Sequence, residues 1–444
     1  MSSRSTYNNS YILGISFISA LGGYLFGFDF AVISGALPFL EHRFGLDDYW
    51  AGFATGSLAL GAIAGCVIAG TVSDKYGRRK GLLTAAAIFG LSSLAMAFAS
   101  NRGIFIGARF VAGIGVGMAS MLSPMYIAEI SPAPLRGRMV AINQLTVVTG
   151  ILITNLVNYS LRNVGEDAWR WMFGLGAVPS ALFFIGAWFL PESPRWLVKA
   201  GHSQLALSIL GKIGGPEFAR SSLQDIQRTT GKDTRINYRA AFGKAVLPAV
   251  LVGIGLAVFQ QFCGINVVFN YTPRIFESIG VSQDEQLLQT VFTGGVNLVF
   301  TLLAMLLVDR LGRRPLMLWG FAGLTILYLV VVRMLAARSP QVSWFLLAAI
   351  GTYAMSLAPV TWVLISEIFP NKVRGAAISI AVLSLWAAYF ILVFTFPILY
   401  RHLQDSTFYI YAGICALGTL FIAVKVKETK GKTLEELEDV FTGH

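Results

Sequence analysis

Charged side chains are scarce in this chain. Of 444 residues only 13% are Asp, Glu, Lys or Arg, about half the share usual in soluble proteins. A water-soluble fold with so little charge would expose very large apolar patches, so a soluble globular protein is excluded. Histidine is almost absent. His42, His202, His402 and His444 stand far apart near the ends of apolar runs. The three cysteines, Cys66, Cys263 and Cys415, all fall inside apolar runs. An odd number without metal-type spacing leaves no basis for a disulfide framework or a zinc site. Catalytic and metal chemistry therefore have little to work with, and neither an enzyme nor a cofactor is expected. A nucleotide motif is missing too. Gly113-Ile-Gly-Val-Gly117 lacks the following Lys-Ser/Thr and lies mid-run, so close helix packing is the better reading. The first apolar run starts at Tyr11 and continues past Gly35 without a small-residue cleavage site. It reads as a retained membrane helix rather than a signal peptide.

What the chain has is hydrophobic length. Apolar residues make up 55%, with 32 Phe, and they come in runs long enough to cross a bilayer, which takes about 20 residues. Twelve spans are expected, near 11–38, 50–72, 82–99, 104–128, 139–160 and 171–190, then 246–275, 288–308, 315–335, 343–366, 376–399 and 407–425. This is an all-α membrane protein. Residues 1–190 form an N-terminal six-helix bundle, 191–244 a polar linker with short helices, 245–425 a second bundle, and 426–444 a tail. Of the 34 Lys and Arg, 25 lie in the even-numbered connections and the termini, and 8 on the other side. The positive-inside rule then puts both termini in the cytoplasm of a multi-pass cell-membrane protein. The same bias accounts for the net charge of +11, so nucleic-acid binding has no independent support. In the linker, Ser203 ahead of Leu205, Ile209, Leu210 and Ile213 is a short amphipathic helical pattern, and Phe218, Leu223 and Ile226 suggest another. Thr433 and Glu436 have capping-box spacing for a helix in the tail.

The most specific signal is an internal repeat. Asp74-Lys-Tyr-Gly-Arg78-Arg79 recurs as Asp309-Arg-Leu-Gly-Arg313-Arg314. Glu129 to Arg136-Gly137 recurs as Glu367 to Arg374-Gly375, and Glu192-Ser-Pro-Arg195 is echoed by Glu428-Thr-Lys-Gly431. The three pairs are collinear at nearly one offset, and that offset covers six spans, so the repeat is parallel. Two parallel halves about a central cavity is the architecture of one large transporter class.

Taken with Gly22-Gly-Tyr-Leu-Phe-Gly-Phe-Asp29, Pro191-Glu-Ser-Pro-Arg195 and Gln260-Gln-Phe-Cys-Gly-Ile-Asn266, these motifs resemble the sugar porter family of the major facilitator superfamily. The resemblance runs from about residue 20 to 435. It implies the major facilitator fold and alternating-access sugar transport. The Gly-Arg-Arg elements mark the superfamily, whereas the Pro-Glu-Ser-Pro-Arg and Gln-Gln-x-x-Gly-Ile-Asn elements are specific to sugar porters.

Two charges fall inside spans. Asp29 and Arg109 lie about 13 Å and 9 Å below the same end of their helices at 1.5 Å per residue, close enough in depth for their side chains to meet. An intramembrane charge is a functional site by default. A carboxylate beside a guanidinium holds its charge; parted from it in an apolar setting, it takes a proton. The pair is expected to couple proton movement to conformational change. In the resembled family an acid at this position goes with proton symport. A static ion pair joining two helices is the plainer alternative.

Recognising a sugar takes neutral donors and acceptors with apolar or aromatic walls. Uncharged amides sit inside the expected spans at Gln144, Gln260, Gln261, Asn266, Asn270 and Asn297. Single amides of this kind are often interhelical glue. Gln260, Gln261 and Asn266 do not line one stripe of an ideal helix, and Gly264 is placed to loosen it. The resemblance assigns hydroxyl contacts to Gln144, Gln260, Gln261, Asn266 and Asn297, and cavity walls to Phe26, Trp362 and Trp386. Asn270-Tyr271 stands where the family commonly has two tyrosines, and Leu385 where it often has a polar residue.

At the basic ends of the helices, Asp74, Arg78, Arg79, Glu129, Arg136, Glu192 and Arg195 are mirrored by Asp309, Arg313, Arg314, Glu367, Arg374 and Glu428. They are expected to form a cytoplasmic gate of ion pairs that break as the transporter opens inward. The function expected overall is proton-coupled uptake of a pentose or hexose by a monomer in a lipid bilayer, with protons as the coupling ion. A passive sugar uniporter and a non-transporting sugar sensor are the alternatives.

Overall fold

The computed structural model describes residues 7–230, 242–243, 246–369 and 373–430. The expected tail helix at Thr433 and Glu436 lies outside these residues, as does the side chain of Asp309. Among the described residues every regular element is a helix. Eleven segments are long and apolar enough to cross a membrane. The last of them, Arg374–Lys425, is 52 residues long and contains two helices separated by a single 3-10 turn, which makes twelve spans.

The helices are α1 (Asn9–Phe44), α2 (Asp48–Tyr76), α3 (Arg78–Ala97), α4 (Arg102–Ile130), α5 (Ala133–Leu161), α6 (Ala168–Gly174) and α7 (Ala177–Phe189). After α8 (Pro194–Lys199) and α9 (Ser203–Thr230) come α10 (Leu247–Phe262), α11 (Ile265–Glu277), α12 (Gln283–Leu311), α13 (Arg313–Ala336), α14 (Val342–Met355), α15 (Leu357–Glu367), α16 (Arg374–Leu403) and α17 (Thr407–Lys425). Three expected spans are therefore each broken in two, at Leu175–Gly176, Cys263–Gly264 and Ser356. Broken helices are tolerated in a membrane where the freed backbone is buried in protein.

Contacts divide the chain into two units. The first holds the described residues up to Asp29, then Gly61–Ile151, and Arg170 onward into the central stretch. The second holds Phe30–Leu60, Leu152–Trp169 and the C-terminal half.

Within the first unit, small residues bring backbones together, as packing without a hydrophobic drive requires. A side chain at Gly61 would stand 1.9 Å from the carbonyl oxygen of Phe110, and one at Gly65 2.3 Å from that of Ile114. Gly117 on α4 meets Ala62 on α2 in the same way, at 2.3 Å. Gly113 and Gly117 thus pack against α2, while Gly115 faces α3, where a Cβ would stand 3.0 Å from the Ala85 carbonyl oxygen. Gly27 of α1 lies against Val147 of α5, where a Cβ would come within 2.0 Å of the carbonyl. The linker helix α9 carries both amphipathic patterns, joined across a kink where Gly215 has φ 81°. Its Ile213 packs with Ile12, Ala20, Ile127 and Met139, and the Ile213 carbonyl accepts the Asn8 amide at 2.9 Å.

The second unit uses the same device. Gly52 and Gly56, one turn apart on α2, abut Phe394 and Phe390 of α16. Gly320 of α13 abuts Ser356 and Leu357 at the α14–α15 break.

Candidate functional site

Asp29 and Arg109 meet inside the first unit. Arg109 Nη1 stands 3.4 Å from both carboxylate oxygens of Asp29. The side chains are 1% and 0% exposed. The contact is long and single-armed. Arg109 Nε and Nη2, and Asp29 Oδ2, have no hydrogen-bond partner among the described residues. The remaining face of the guanidinium lies 5.7 Å over the Phe173 ring. Desolvating two charges costs more than a weak contact of this geometry returns, so a purely stabilising pair is a poor account of it. The arrangement suits a pair that changes partners.

In the second unit the break at Gly264 organises the amides. Gly264 has φ 83°, and a Cβ there would meet the Tyr411 ring at 2.6 Å. Only glycine takes that conformation without strain. The turn swings Asn266 round to the side of Gln261. Asn266 Nδ2 then donates to Gln261 Oε1, Gln261 Nε2 donates to Gln260 Oε1 at 2.8 Å, and Gln260 Nε2 donates to the Tyr353 hydroxyl. One turn on, Asn270 Nδ2 donates to the Asn266 carbonyl at 2.8 Å and to the Tyr389 hydroxyl at 3.1 Å. Asn270 Oδ1 is buried with no partner among the described residues. Trp386 stands edge-on to Tyr389, with ring centroids 5.9 Å apart.

This is a neutral string of donors and acceptors beside aromatic rings, matched to hydroxyls rather than ions. Asn297 on α12 is buried, at 5% exposure, and Trp362 on α15 is 45% exposed. Phe26 and Gln144 belong to the first unit, half-buried on α1 and α5.

The charged helix ends repeat almost atom for atom. In the first unit Arg78 binds Glu129 through Nε at 3.0 Å and Nη2 at 3.0 Å, and Asp74 through Nη1 at 3.3 Å. Glu192 accepts the backbone amides of Arg78 and Arg79 at 2.8 and 3.2 Å, and Arg79 donates to the Trp188 carbonyl. In the second unit Arg313 binds Glu367 at 3.3 Å. Glu428 accepts the amides of Arg313 and Arg314 at 3.0 and 3.1 Å, and Arg314 donates to the Ala423 carbonyl at 2.8 Å.

Each carboxylate thus caps the positive end of a helix. Gly77 and Gly312, at φ 98° and 91°, leave room for it. The two caps differ electrostatically. Burial pushes Glu192 above the ordinary carboxylate range, its hydrogen bonds to Ser193, Arg79 and Arg78 only partly offsetting this. Burial also opposes the charge of Glu428, but four backbone amides outweigh it and hold that carboxyl below its usual value. These ion pairs join acids and bases of the same unit. Arg136 and Arg374 instead donate to the carbonyls of Ala128 and Phe369, and Arg195 is exposed.

Residues 15–441 match the family described as "Sugar (and other) transporter". The chain belongs to that family. It is 39% identical to the D-xylose-proton symporter of Escherichia coli K12, over 97% of this chain and 96% of that protein. It is 40% identical to the glucose transport protein of Synechocystis, over 98% of each. The inward-open structure of the E. coli xylose transporter XylE superposes with a TM-score of 0.87 at 37% identity, covering 97% of this chain and 100% of that one. The architecture is the major facilitator fold, and the protein is a multi-pass membrane transporter, not an enzyme.

Two members of the amide string were not singled out from the sequence. Tyr353 and Tyr389 are buried hydroxyls in apolar spans, and such groups need partners. That need was the one available signal. Which amide each would meet is decided by contacts between helices far apart in sequence.

Proposed function

We propose that this transporter is a proton-coupled monosaccharide symporter of the cell membrane. Both termini face the cytoplasm, and a monomer carries sugar inward by alternating access. The observation that carries the reading is the buried, singly bonded Asp29–Arg109 pair. The 39% identity to a D-xylose-proton symporter supports it. When Asp29 is charged, it holds Arg109. A proton arriving on Asp29 cancels that attraction and releases the guanidinium, whose Nε and Nη2 then take other acceptors. α1 and α4 carry the two groups, so the change of partners is a change of helix contacts, the kind of bistable element a conformational cycle needs.

The amides of Gln260, Gln261, Asn266, Asn270 and Asn297 bind sugar hydroxyls, while Trp362 and Trp386 face its C–H surfaces. A sugar hydroxyl donating to Asn270 Oδ1 satisfies an acceptor otherwise left buried and unmade, a deficit of about 1–3 kcal/mol. The Arg-rich helix ends, Asp309 among them, act as the cytoplasmic gate. Protons are the only coupling agent, and no cofactor takes part.

The test is uptake of a labelled pentose or hexose into proteoliposomes with and without an imposed inward proton gradient. Accumulation above the external concentration is expected only with the gradient. Uptake that ignores the gradient makes the protein a uniporter. Sugar binding without flux makes it a sensor.

A further inference from the structure

Asn266 and Asn270 stand one turn apart on α11, and Arg274 follows four residues on, beyond a kink at Tyr271. The first two belong to the amide string. Arg274 lies at the opposite end of its helix from Gly264, in a cluster of charges that neither the amides nor the Asp29 pair uses. Its Nη2 binds Asp48, the first residue of α2, and its Nη1 stands 3.6 Å from Glu41 near the end of α1. Asp48 also takes Arg401 of α16 at 3.6 Å. One aspartate therefore ties α2 to both α11 and α16. Arg274 and Asp48 are only 25% and 15% exposed, so salt screens them less than a surface pair.

The neighbouring Asp47 does a different job: its carboxylate accepts the Trp50 amide at 2.9 Å and starts α2. Asp48 is left for the arginines. Below the cluster α2 lies on α16 through Gly52 and Gly56, with the Val393 side chain 3.4 Å from where a Gly56 Cβ would be. The Tyr271 hydroxyl of α11 donates to the Val393 carbonyl at 2.6 Å. Removing the charges leaves this seam with its apolar contacts and the Tyr271 hydrogen bond.

We propose that Arg274 is a positioning residue: its pairs with Glu41 and Asp48 latch α11, and with it Asn266 and Asn270, against the ends of α1 and α2. Access from the end of the molecule opposite the Gly-Arg-Arg loops is then governed by this ionic latch. The claim that the latch sets the sugar amides rests on the function proposed above. The latch itself does not.

The experiment reads the latch without sugar or proton gradient. Val393 is fully buried, and Val393→Cys is close to isosteric. The rate at which a membrane-impermeant maleimide labels V393C is measured on right-side-out and inside-out vesicles, with background from Cys66, Cys263 and Cys415 subtracted using the parent chain. Adding Arg274→Gln, or separately Asp48→Asn, is expected to raise labelling from the outer face at least fivefold. The conservative variant R274K, which keeps the charge facing Glu41 and Asp48, is expected to leave labelling within twofold of V393C alone. Labelling within twofold of V393C in either R274Q or D48N overturns the latch, as does an R274K variant that labels as fast as R274Q. If R274Q does not reach the membrane, D48N breaks the same pair from the other side and decides the matter. A gated labelling pattern in a protein that shows no sugar uptake would refute the proposed function and leave the latch standing.

Discussion

Replacing Asp29 by Asn removes the charge that holds Arg109 while keeping the shape of the side chain. The Asn oxygen still accepts from Arg109 Nη1, which stands 3.4 Å from the carboxylate. Arg109, fully buried, nevertheless loses its counter-charge, so a stability cost of up to about 3–5 kcal/mol is expected. The functional cost is large. One carboxylate serves one proton per cycle. A proton entering down one pH unit releases about 1.4 kcal/mol, and a potential of 100 mV adds about 2.3 kcal/mol. Together these sustain roughly 500-fold sugar accumulation at about 1.4 kcal/mol per decade. The Asn variant cannot cycle between charged and neutral forms, so its accumulation ratio is expected to fall to about one. Exchange of labelled for unlabelled sugar should persist, because the amide string lies elsewhere in the chain. The assay is proteoliposome uptake under a fixed gradient, paired with counterflow without one. Accumulation retained in D29N would refute the reasoning, whatever the state of exchange. Loss of both activities in a folded protein would show that the pair is structural.

Gln261→Ala cuts the string in its middle, leaving Gln260 and Asn266 each short of a partner. At about 1–3 kcal/mol per unmade buried bond, sugar affinity should fall about tenfold to a hundredfold, read by equilibrium binding of a labelled sugar. Gly77→Ala combines a left-handed backbone with a Cβ 2.2 Å from Glu192 Oε2. The conformational penalty of about 1–2 kcal/mol and the displaced cap should lower the unfolding temperature in detergent. Gly312→Ala, where the matching contact is 2.8 Å, should lower it less. Glu428 has a depressed folded pKa, so its contribution is present above the ordinary carboxylate range and is lost as pH falls through the depressed value. For Glu192 the shift is upward, so charging it opposes the fold as pH rises. Glu428→Gln should therefore destabilise the protein at neutral pH, and Glu192→Gln should be tolerated better, both followed by thermal unfolding at pH 7.

Much of this was legible from residue order alone. Twelve apolar runs, the parallel repeat and the basic bias follow from local composition and spacing, because a bilayer demands length and apolarity of each helix separately. The Asp29–Arg109 contact was legible for a similar reason: two charges at matched depth in hydrocarbon have few other partners. The seam at Gly113–Gly117 could be recognised as packing because its neighbours in sequence lacked the residues a phosphate site requires. The broken spans were less visible. A hydropathy window averages over Ser356 and Gly176, and only at Gly264 did the misaligned amides hint at a turn.

Sequence by itself determined the class of molecule, its spans and the chemical types in its amide string, since hydropathy, charge and amide content act through each residue's own solvation. Tertiary structure alone decided which groups meet. Tyr353 and Tyr389 complete the amide string, Glu192 and Glu428 cap helices rather than only pairing with side chains, and Asp48 faces Arg274 across 226 positions. A hydrogen bond or ion pair depends on separations of a few tenths of an ångström, and those are set by how glycine seams seat one helix against another, which no span of sequence encodes alone.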